Sequence, residues 1–477
     1  MTIRSKIEER MKNYPDDKAF LFRKKDSAGI GEITSKQFWK DVSTLGGELL
    51  RRGYYKKNIA IFGENSYDWA LAFFSVTASG NTAVLLDYHL PENELTELVA
   101  FTDCECVLYS STYEDIANVM AKKTGIPFFE TSDLFGKICR EQENMEAFGS
   151  VTVEESDVAA IAFTSGTSGK YKAVMLSNYG IIADTESLSR EFKPNGMCLL
   201  ILPLYHMFGM LNVFTYLFVG GCCFIEDSMR NIFKDTGTYH FDLISAVPVM
   251  LPVIYEAYKS NHNGNGVRII CGGAPESRNM FDKITDLGID NYAGYGMTEC
   301  SPCIALGNSC NENGEFFMNV LDVNKVTIDS PDENGTGEIL VSGKNVMTGY
   351  YKMPEETEKV LENGVLKTGD LGRLDADGRL CVTGRKKNLI VLSNGEKVSP
   401  EAVEQQMRRI KDVAECMLTE QNGELVLSVW APEGNSDAIR KEILNRNRLF
   451  PGSRRIAKIV FAENSFATNS IGKTVRN

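Results

Sequence analysis

Short apolar runs, each too brief for a helix, alternate with longer segments whose apolar residues recur at helical spacing. This rhythm limits the chain to a mostly parallel sheet with covering helices. Asn58–Phe62, Thr82–Leu86, Cys106–Tyr109, Pro127–Phe129 and Val158–Phe163 read as strands. Between them, Phe38–Arg52, Trp69–Ala78, Leu95–Phe101 and Tyr113–Lys123 read as helices, the first with Phe38, Val42, Leu45 and Leu49 on one face. Gln142–Thr152 is polar and reads as a connector. A second alternating block runs from Ile181 to about Asn308, with strands at Cys198–Leu202, Leu243–Val247, Val267–Cys271 and Asn291–Tyr295. From Asn319 to Thr383 shorter runs are punctuated by Asn334-Gly335 and Asp377-Gly378, which reads as a small β region. A final mixed unit follows Gly384-Arg385-Lys386-Lys387-Asn388.

At 477 residues the chain exceeds what one core supports, so two or more domains are expected. A net charge of −13 argues against a nucleic-acid binder or a peripheral protein of anionic membranes. Met1–Tyr14 is charged and lacks the apolar core of a secretory signal. Pro194–Ile225 contains no Asp, Glu, Lys or Arg and is long enough to span a membrane. Pro203, His206, Gly209 and Gly220-Gly221 interrupt it, so the expectation there is strand, loop, buried helix, strand. Twelve cysteines without a signal peptide point to reduced thiols and a cytoplasmic protein. The lone Cys300-x-x-Cys303 has no second pair at zinc spacing. The four histidines (His89, His206, His240, His262) show no helical metal spacing.

Four stretches carry chemistry. Between two apolar runs lies Thr164-Ser165-Gly166-Thr167-Ser168-Gly169-Lys170-Tyr171-Lys172, whose glycines, hydroxyls and lysines suit a phosphate-binding loop. It is not a Walker A motif, because Thr164 stands at the first required glycine and Tyr171 at the required Ser/Thr. A flexible surface turn is the alternative. Gly272-Gly273-Ala274-Pro275 and Tyr292-Ala293-Gly294-Tyr295-Gly296-Met297-Thr298-Glu299 both end strands, where open α/β sheets place ligands. Small residues beside a tyrosine make a slot for a flat base. Thr298 offers a hydroxyl, and Glu299 a carboxylate suited to Mg²⁺ beside phosphate oxygens, unless it is a solvated helix-start carboxylate. In Thr368-Gly369-Asp370 the carboxylate could accept both hydroxyls of a ribose, although Gly-Asp turns are common.

Together these residues resemble the adenylate-forming superfamily of acyl- and aryl-CoA ligases, peptide-synthetase adenylation domains and luciferases. The resemblance extends from Gly63-Glu64-Asn65-Ser66 to Gly472-Lys473 and is most similar in motif to bacterial acyl-CoA ligases. It implies an α/β fold with a large N-terminal domain, residues 1–384, of two α/β sheet subdomains plus a small β-barrel. A small mobile α+β C-terminal domain, residues 385–477, would follow, hinged near Lys387. By the same resemblance Thr164, Ser165, Gly166, Thr167 and Lys172 would embrace the β- and γ-phosphates of ATP. Gly273, Ala274, Tyr295 and Gly296 would line the adenine slot, Thr298 would reach the α-phosphate, and Glu299 would hold Mg²⁺. Asp370 and Arg385 would hold the ribose. Lys473 would meet the α-phosphate and the attacking carboxylate, and the loop at Gly395 would line the thiol tunnel after the C-terminal domain rotates.

The implied reaction activates a carboxylic acid to acyl-AMP with release of pyrophosphate, then transfers the acyl group to the thiol of CoA. Loading of a carrier protein's phosphopantetheine arm is the alternative acceptor. Two departures stand out: the phosphate loop ends Tyr171-Lys172-Ala173 where relatives have Pro-Lys-Gly, and Asn469 stands where the terminal motif usually has Thr. Amino-acid-activating relatives carry an aspartate in the loop matching Leu204–Gly209, and this chain has His206 with no acid. His206, Met207, Val247 and Gly294 would line the acyl pocket, His206 being alternatively a packed core residue. The apolar neighbours point to a hydrophobic acid, as in fatty-acid metabolism. Arg408-Arg409 and Arg454-Arg455 could face CoA phosphates or an acidic carrier protein, or be plain solvated surface.

Overall fold

Asn58–Phe62 and Thr82–Leu86 are strands with the bounds the apolar runs foretell, and they pair in parallel, as does Cys104–Tyr109 with the former. The structure, a computed structural model, describes residues 1–24, 29–141, 146–165, 171–194, 196–226, 228–261, 264–312, 314–392, 397–421, 424–432, 434–448, 450 and 455–466, the side chains of 140, 141, 146 and 165 excepted. The first sheet runs in the order Gly349–Tyr350, Tyr171–Ser177, Val158–Ser165, Thr82–Leu86, Asn58–Phe62, Cys104–Tyr109, Phe128–Glu130. Its first two strands are antiparallel additions to a parallel sheet.

A second sheet has a parallel centre of Asp290–Gly296, Arg268–Cys271, Leu243–Ala246, Met197–Leu200, Cys222–Ile225 and Lys18–Arg23. The antiparallel strands Cys303–Cys310, Phe316–Val320, Leu380–Arg385, Val365–Leu374, Gly337–Gly343 and Asn324–Asp329 continue it without a break. The region expected as a small β-barrel of the N-terminal domain is hydrogen-bonded to the second sheet. Beyond it, Glu415–Gln421, Glu424–Trp430 and Ile456–Phe461 form a small sheet with helices Pro400–Met407 and Ser436–Asn447. Leu392, Val403, Met407, Leu427 and Ile443 belong to that unit's own core. The fold is therefore α/β, with a large multi-sheet N-terminal part and a smaller C-terminal one.

The two large sheets share one apolar core. Helix Tyr67–Ala78 is buried along its whole length, and its Phe73 and Phe74 rings lie 5.7 and 5.9 Å from Phe214 of helix Met207–Leu217. Such aromatic pairs add to the gain from burial alone. Helix Met207–Leu217 answers the membrane question of the Pro194–Ile225 stretch. Its 11 residues span about 16 Å, about half a hydrocarbon core. No described helix is long and apolar enough to cross a membrane.

Gly63-Glu64-Asn65-Ser66 links the two halves. The Ser66 hydroxyl caps the helix by accepting from the Trp69 N–H at 3.1 Å. Asn65 donates to the Leu202 carbonyl and accepts from the Leu204 N–H, both at 2.9 Å, which fixes the loop leading to His206. Two segments differ from the sequence reading. Thr131–Glu141 is a helix, and part of the polar connector, Glu146–Gly149, is a helical turn. The charged N-terminus forms helix Ile3–Asn13, whose Arg10 is buried because it donates to Ser35 Oγ, the Leu217 carbonyl and the Lys18 carbonyl.

Candidate active site

The phosphate-loop stretch is the turn of a β-hairpin. Strands Val158–Ser165 and Tyr171–Ser177 pair antiparallel with Thr164 opposite Lys172 and Ser165 opposite Tyr171. Directly opposite residues share a face, so the register places the Lys172 ammonium group beside the Thr164 hydroxyl side of the loop. Proline cannot donate to a ladder. Tyr171, standing where relatives have proline, extends the pairing by one residue, and its hydroxyl donates to Glu94 Oε2 at 3.0 Å. Gly166, Thr167 and the Ser165 side chain lie outside the described residues.

Gly349–Tyr350 adds to this hairpin with Tyr350 opposite Val174. That register brings the Tyr350 ring under Lys172, whose Nζ lies 4.8 Å from the ring centroid. It also aims the Tyr350 hydroxyl at Glu299 Oε1, to which it donates at 2.9 Å. Lys172 Nζ reaches Glu356 Oε2 at 2.9 Å. Glu299 is 6% exposed, so the solvated-carboxylate alternative does not hold. Burial pushes its carboxyl above the ordinary value, against the hydrogen bonds it accepts and the charges of Lys172 and Arg385. One buried carboxylate, with the Thr298 hydroxyl beside it, is a donor set that suits Mg²⁺ when phosphate oxygens and water fill its remaining positions.

A buried network holds the Thr298–Cys300 turn from below. Asn345 donates through Nδ2 to Asp184 Oδ1 at 3.0 Å and to the Cys300 carbonyl at 2.8 Å. Asp184 Oδ2 accepts from the Cys303 N–H at 3.2 Å. Burial raises the Asp184 carboxyl well above its ordinary value. Cys300 and Cys303 are free, buried thiols raised by the same desolvation, which fits packing rather than metal binding. Gly296 is required here, since a Cβ would lie 2.0 Å from the Pro302 carbonyl oxygen.

Strands Val365–Leu374 and Leu380–Arg385 place Asp370 directly opposite Arg385. Arg385 Nε lies 2.7 Å from Asp370 Oδ1, and the Tyr295 hydroxyl donates to Asp370 Oδ2 at 3.0 Å. Asp370 is 3% exposed, so a short chain of donors fixes its orientation before any ligand arrives. Lys387 is lowered from the usual lysine range by partial burial and then by Arg385, with Asp370 opposing. The expected ribose-binding pair and the hinge lysine therefore share one electrostatic neighbourhood.

Gly272 abuts the start of helix Met207–Leu217. A Cβ there would lie 3.2 Å from the Phe208 ring and 3.4 Å from the Gly294 carbonyl oxygen, and one on Gly273 would lie 3.5 Å from Val247. Met207 and Val247, expected to line the acyl pocket, are both buried. Glu276 follows Gly272-Gly273-Ala274-Pro275 and is 5% exposed. It accepts from Asn291 Nδ2 at 2.7 Å, while Glu276 Oε2 and Asn291 Oδ1 have no hydrogen-bond partner among the described residues. Burial pushes the Glu276 carboxyl up to about 7, over the opposing bonds from Asn291 and Cys271.

His206 is the N-cap residue of helix Met207–Leu217, and its Nε2 is buried without a partner among the described residues. Burial pulls the imidazole down to about 4, despite Asp87, so it is neutral at neutral pH. Its ring lies 4.5 Å from Tyr205, whose hydroxyl is 3.2 Å from His89 Nδ1. Lys473 and Gly395 lie outside the described residues. Sequence reasoning missed Tyr350, Glu356, Asp184, Asn345 and Glu276. Only Glu276 carried a local signal, a charge set directly against Gly-Gly-Ala-Pro.

Known proteins resemble the chain in sequence and in fold. The AMP-binding enzyme family matches residues 7–351. The 2-succinylbenzoate–CoA ligase of Oceanobacillus iheyensis is 27% identical over 418 residues, which cover 84% of this chain and 82% of that protein. The long-chain-fatty-acid–CoA ligase of Yersinia pestis is 27% identical over 68% of this chain and 61% of that protein. Among solved structures, o-succinylbenzoate CoA synthetase of Bacillus subtilis with its acyl-adenylate superposes with a TM-score of 0.83 at 22% identity, covering 98% of this chain and 96% of that one. ATP-bound MatB of Rhodopseudomonas palustris gives 0.85 at 19% identity, covering 99% and 97%. The chain belongs to the AMP-binding enzyme family.

Proposed function

We propose that the protein joins a carboxylic acid with an apolar or aryl body to CoA, through an acyl-adenylate and with release of pyrophosphate. The observation that carries this reading is that Arg385 joins two oriented buried carboxylates, pairing with Asp370 and acting by its charge on Glu299. Tyr350 and Lys172 frame Glu299 on one side, and Tyr295 and Arg385 frame Asp370 on the other.

In this reading Lys172, with Thr164, Ser165, Gly166 and Thr167, holds the β- and γ-phosphates that depart as pyrophosphate. Glu299, oriented by Tyr350, holds Mg²⁺, which when bound offsets charge on the phosphates. Thr298 donates to the α-phosphate. Gly273, Ala274, Tyr295 and Gly296 form the adenine slot, and Asp370 with Arg385 holds the ribose hydroxyls. The acid's carboxylate must approach an anionic α-phosphate, and Lys473 supplies the charge that offsets the repulsion and the charge developing in the transition state. His206, neutral, lines the acyl side with Met207, Val247 and Gly294, and its Nε2, unpartnered among the described residues, is available for a substrate or thiol contact.

We also place a domain boundary after residue 384. Residues 385–477 turn about Lys387, carrying Lys473 away and bringing Gly395 to the thiol path, so that one cleft serves both half-reactions. CoA is the favoured acceptor because the relatives reported above are CoA ligases, whereas none of them is a carrier-protein loading enzyme. Apolar Met207, Phe208 and Val247 and the 2-succinylbenzoate- and fatty-acid-directed relatives support an aryl or alkyl acid.

The test is ATP–pyrophosphate exchange over a panel of aryl, dicarboxylic and straight-chain acids, followed by mass analysis of products with CoA. Exchange with an apolar or aryl acid and a CoA thioester is expected. Exchange confined to amino acids, or none with any acid, would overturn the reading. Lys473→Ala should abolish exchange far more than thioester formation from preformed acyl-adenylate, and equal loss in both would refute its role.

A further inference from the structure

The Lys172 ammonium group, read above as a holder of the β- and γ-phosphates, already has an anion against it. Its Nζ lies 2.9 Å from Glu356 Oε2, and the two side chains are only 18% and 31% exposed. The other carboxylate oxygen, Oε1, meets the exposed Lys359. Lys359 first and Lys172 second hold the Glu356 carboxyl down to about 2, so it is ionised at neutral pH.

Backbone pairing, rather than the reach of two long side chains, sets this contact. Strand Gly349–Tyr350 adds to the hairpin strand that carries Lys172, and the Tyr351 N–H continues the pairing to the Ala173 carbonyl at 2.8 Å. Helix Pro354–Val360, which carries Glu356, follows at once. Its Thr357 Oγ1 accepts from the Tyr350 N–H and donates to the Met353 carbonyl, both at 2.9 Å. Lys352 and the Tyr351 hydroxyl reach Asp103 at 2.6 and 2.9 Å, which ties the turn before the helix to the first sheet. The Glu356 carboxylate is thus delivered to Lys172 by the fold.

We propose that Glu356 is a resident counter-anion of the phosphate loop, which a polyphosphate must displace from Lys172 and which reclaims Lys172 as pyrophosphate departs. This rests on the reading of Lys172 as a phosphate ligand. A carboxylate and a polyphosphate brought to one ammonium group repel each other. Lys172 is available only for the fraction of time that Glu356 releases it, and apparent affinity falls by that fraction. For a partly exposed ion pair this amounts to a factor of about two to five. The effect falls on ATP and pyrophosphate but not on AMP, which has no β- or γ-phosphate. Lys359 keeps the displaced carboxylate paired. A weaker hold on pyrophosphate favours the forward reaction, because retained pyrophosphate can attack the α-phosphorus of the acyl-adenylate, expel the carboxylate and restore ATP.

The test is calorimetric titration of ATP, pyrophosphate and AMP, each with Mg²⁺, into the full chain and its variants. These are Glu356→Gln, Glu356→Asp, Lys172→Ala, the Glu356→Gln/Lys172→Ala double variant and, as control, Glu358→Gln. Glu358 is exposed on the same helix but two residues on, off the face that holds Glu356. Glu356→Gln should bind ATP and pyrophosphate about twofold to fivefold more tightly, with AMP binding and the control unchanged. Glu356→Asp, which keeps the charge but draws it back by one methylene, should show part of the gain. Lys172→Ala should bind both polyphosphates more weakly, and Glu356→Gln should add nothing in that background. A gain that survives Lys172→Ala would be a long-range charge effect and would overturn the proposal. So would unchanged or weaker polyphosphate binding in a Glu356→Gln variant with wild-type circular dichroism, while Lys172→Ala still weakens it. Polyphosphate binding indifferent to Lys172→Ala would instead overturn the reading of Lys172, and the proposal with it.

Discussion

Glu276 sits directly behind the Gly-Gly-Ala-Pro segment, and its charge state couples the stability of that wall to pH. Burial raises its carboxyl from 4.5 to about 7, against the bonds from Asn291 and Cys271. The folded value lies above the unfolded one. The contribution is therefore complete below pH 4.5 and is lost as pH rises towards about 7, where the folded protein must also give up the proton. At roughly 1.4 kcal/mol per pH unit, the window is worth about 3 kcal/mol. Glu276→Gln keeps the shape and the amide pairing with Asn291 but carries no ionisable proton. Denaturant unfolding followed by circular dichroism at pH 5, 6, 7 and 8 should find the variant close to wild type at pH 5. At pH 8 it should be more stable by up to about 3 kcal/mol. A difference between the two proteins that stays constant from pH 5 to pH 8 would refute a buried, protonated Glu276.

Tyr350→Phe removes the donor to Glu299 Oε1 and leaves a buried carboxylate short of a bond, at a cost of about 1–3 kcal/mol in stability. Titration of Mg²⁺ in the exchange assay should also show weaker metal activation, and unaltered metal dependence would contradict the positioning role. Asp370→Asn should raise KM for ATP and lower kcat/KM by roughly 10- to 100-fold, as loss of charged hydrogen bonds implies; steady-state kinetics with saturating acid reads this. Glu356→Gln releases Lys172 from its only described carboxylate contact and should lower KM for ATP about twofold to fivefold, with kcat little changed. A higher KM would mean that Glu356 helps rather than competes.

Sequence alone carried the parallel strands well, because a strand buried on both faces must be a short apolar run. Asn58–Phe62 and Thr82–Leu86 show this. It singled out Glu299, Asp370 and Lys172 as well, through motifs that the fold sets in the Thr298–Cys300 turn and in strands Val365–Leu374 and Tyr171–Ser177. Helix Ile3–Asn13 was hidden because its inner face includes Arg10, a residue that reads as surface until the Leu217 and Lys18 carbonyls and Ser35 are brought to it. Tyr350 and Glu356 were hidden for a different reason. Each acts on a residue brought near only by the pairing of Gly349–Tyr350 with the hairpin, and nothing in the local stretch records that pairing. The missing proline at Tyr171, conspicuous in sequence as a departure, is in the fold a one-residue extension of the strand ladder.

In the proposed reaction the acid's carboxylate attacks the α-phosphate of ATP. The direct measurement supplies ¹⁸O-carboxylate-labelled acids, 2-succinylbenzoate and straight-chain acids among them, with ATP, Mg²⁺ and CoA, and reads the nucleotide product by mass spectrometry. The expected products are AMP carrying one ¹⁸O atom, pyrophosphate and the acyl-CoA thioester. Formation of ADP and labelled inorganic phosphate, or of AMP without the label, would contradict it.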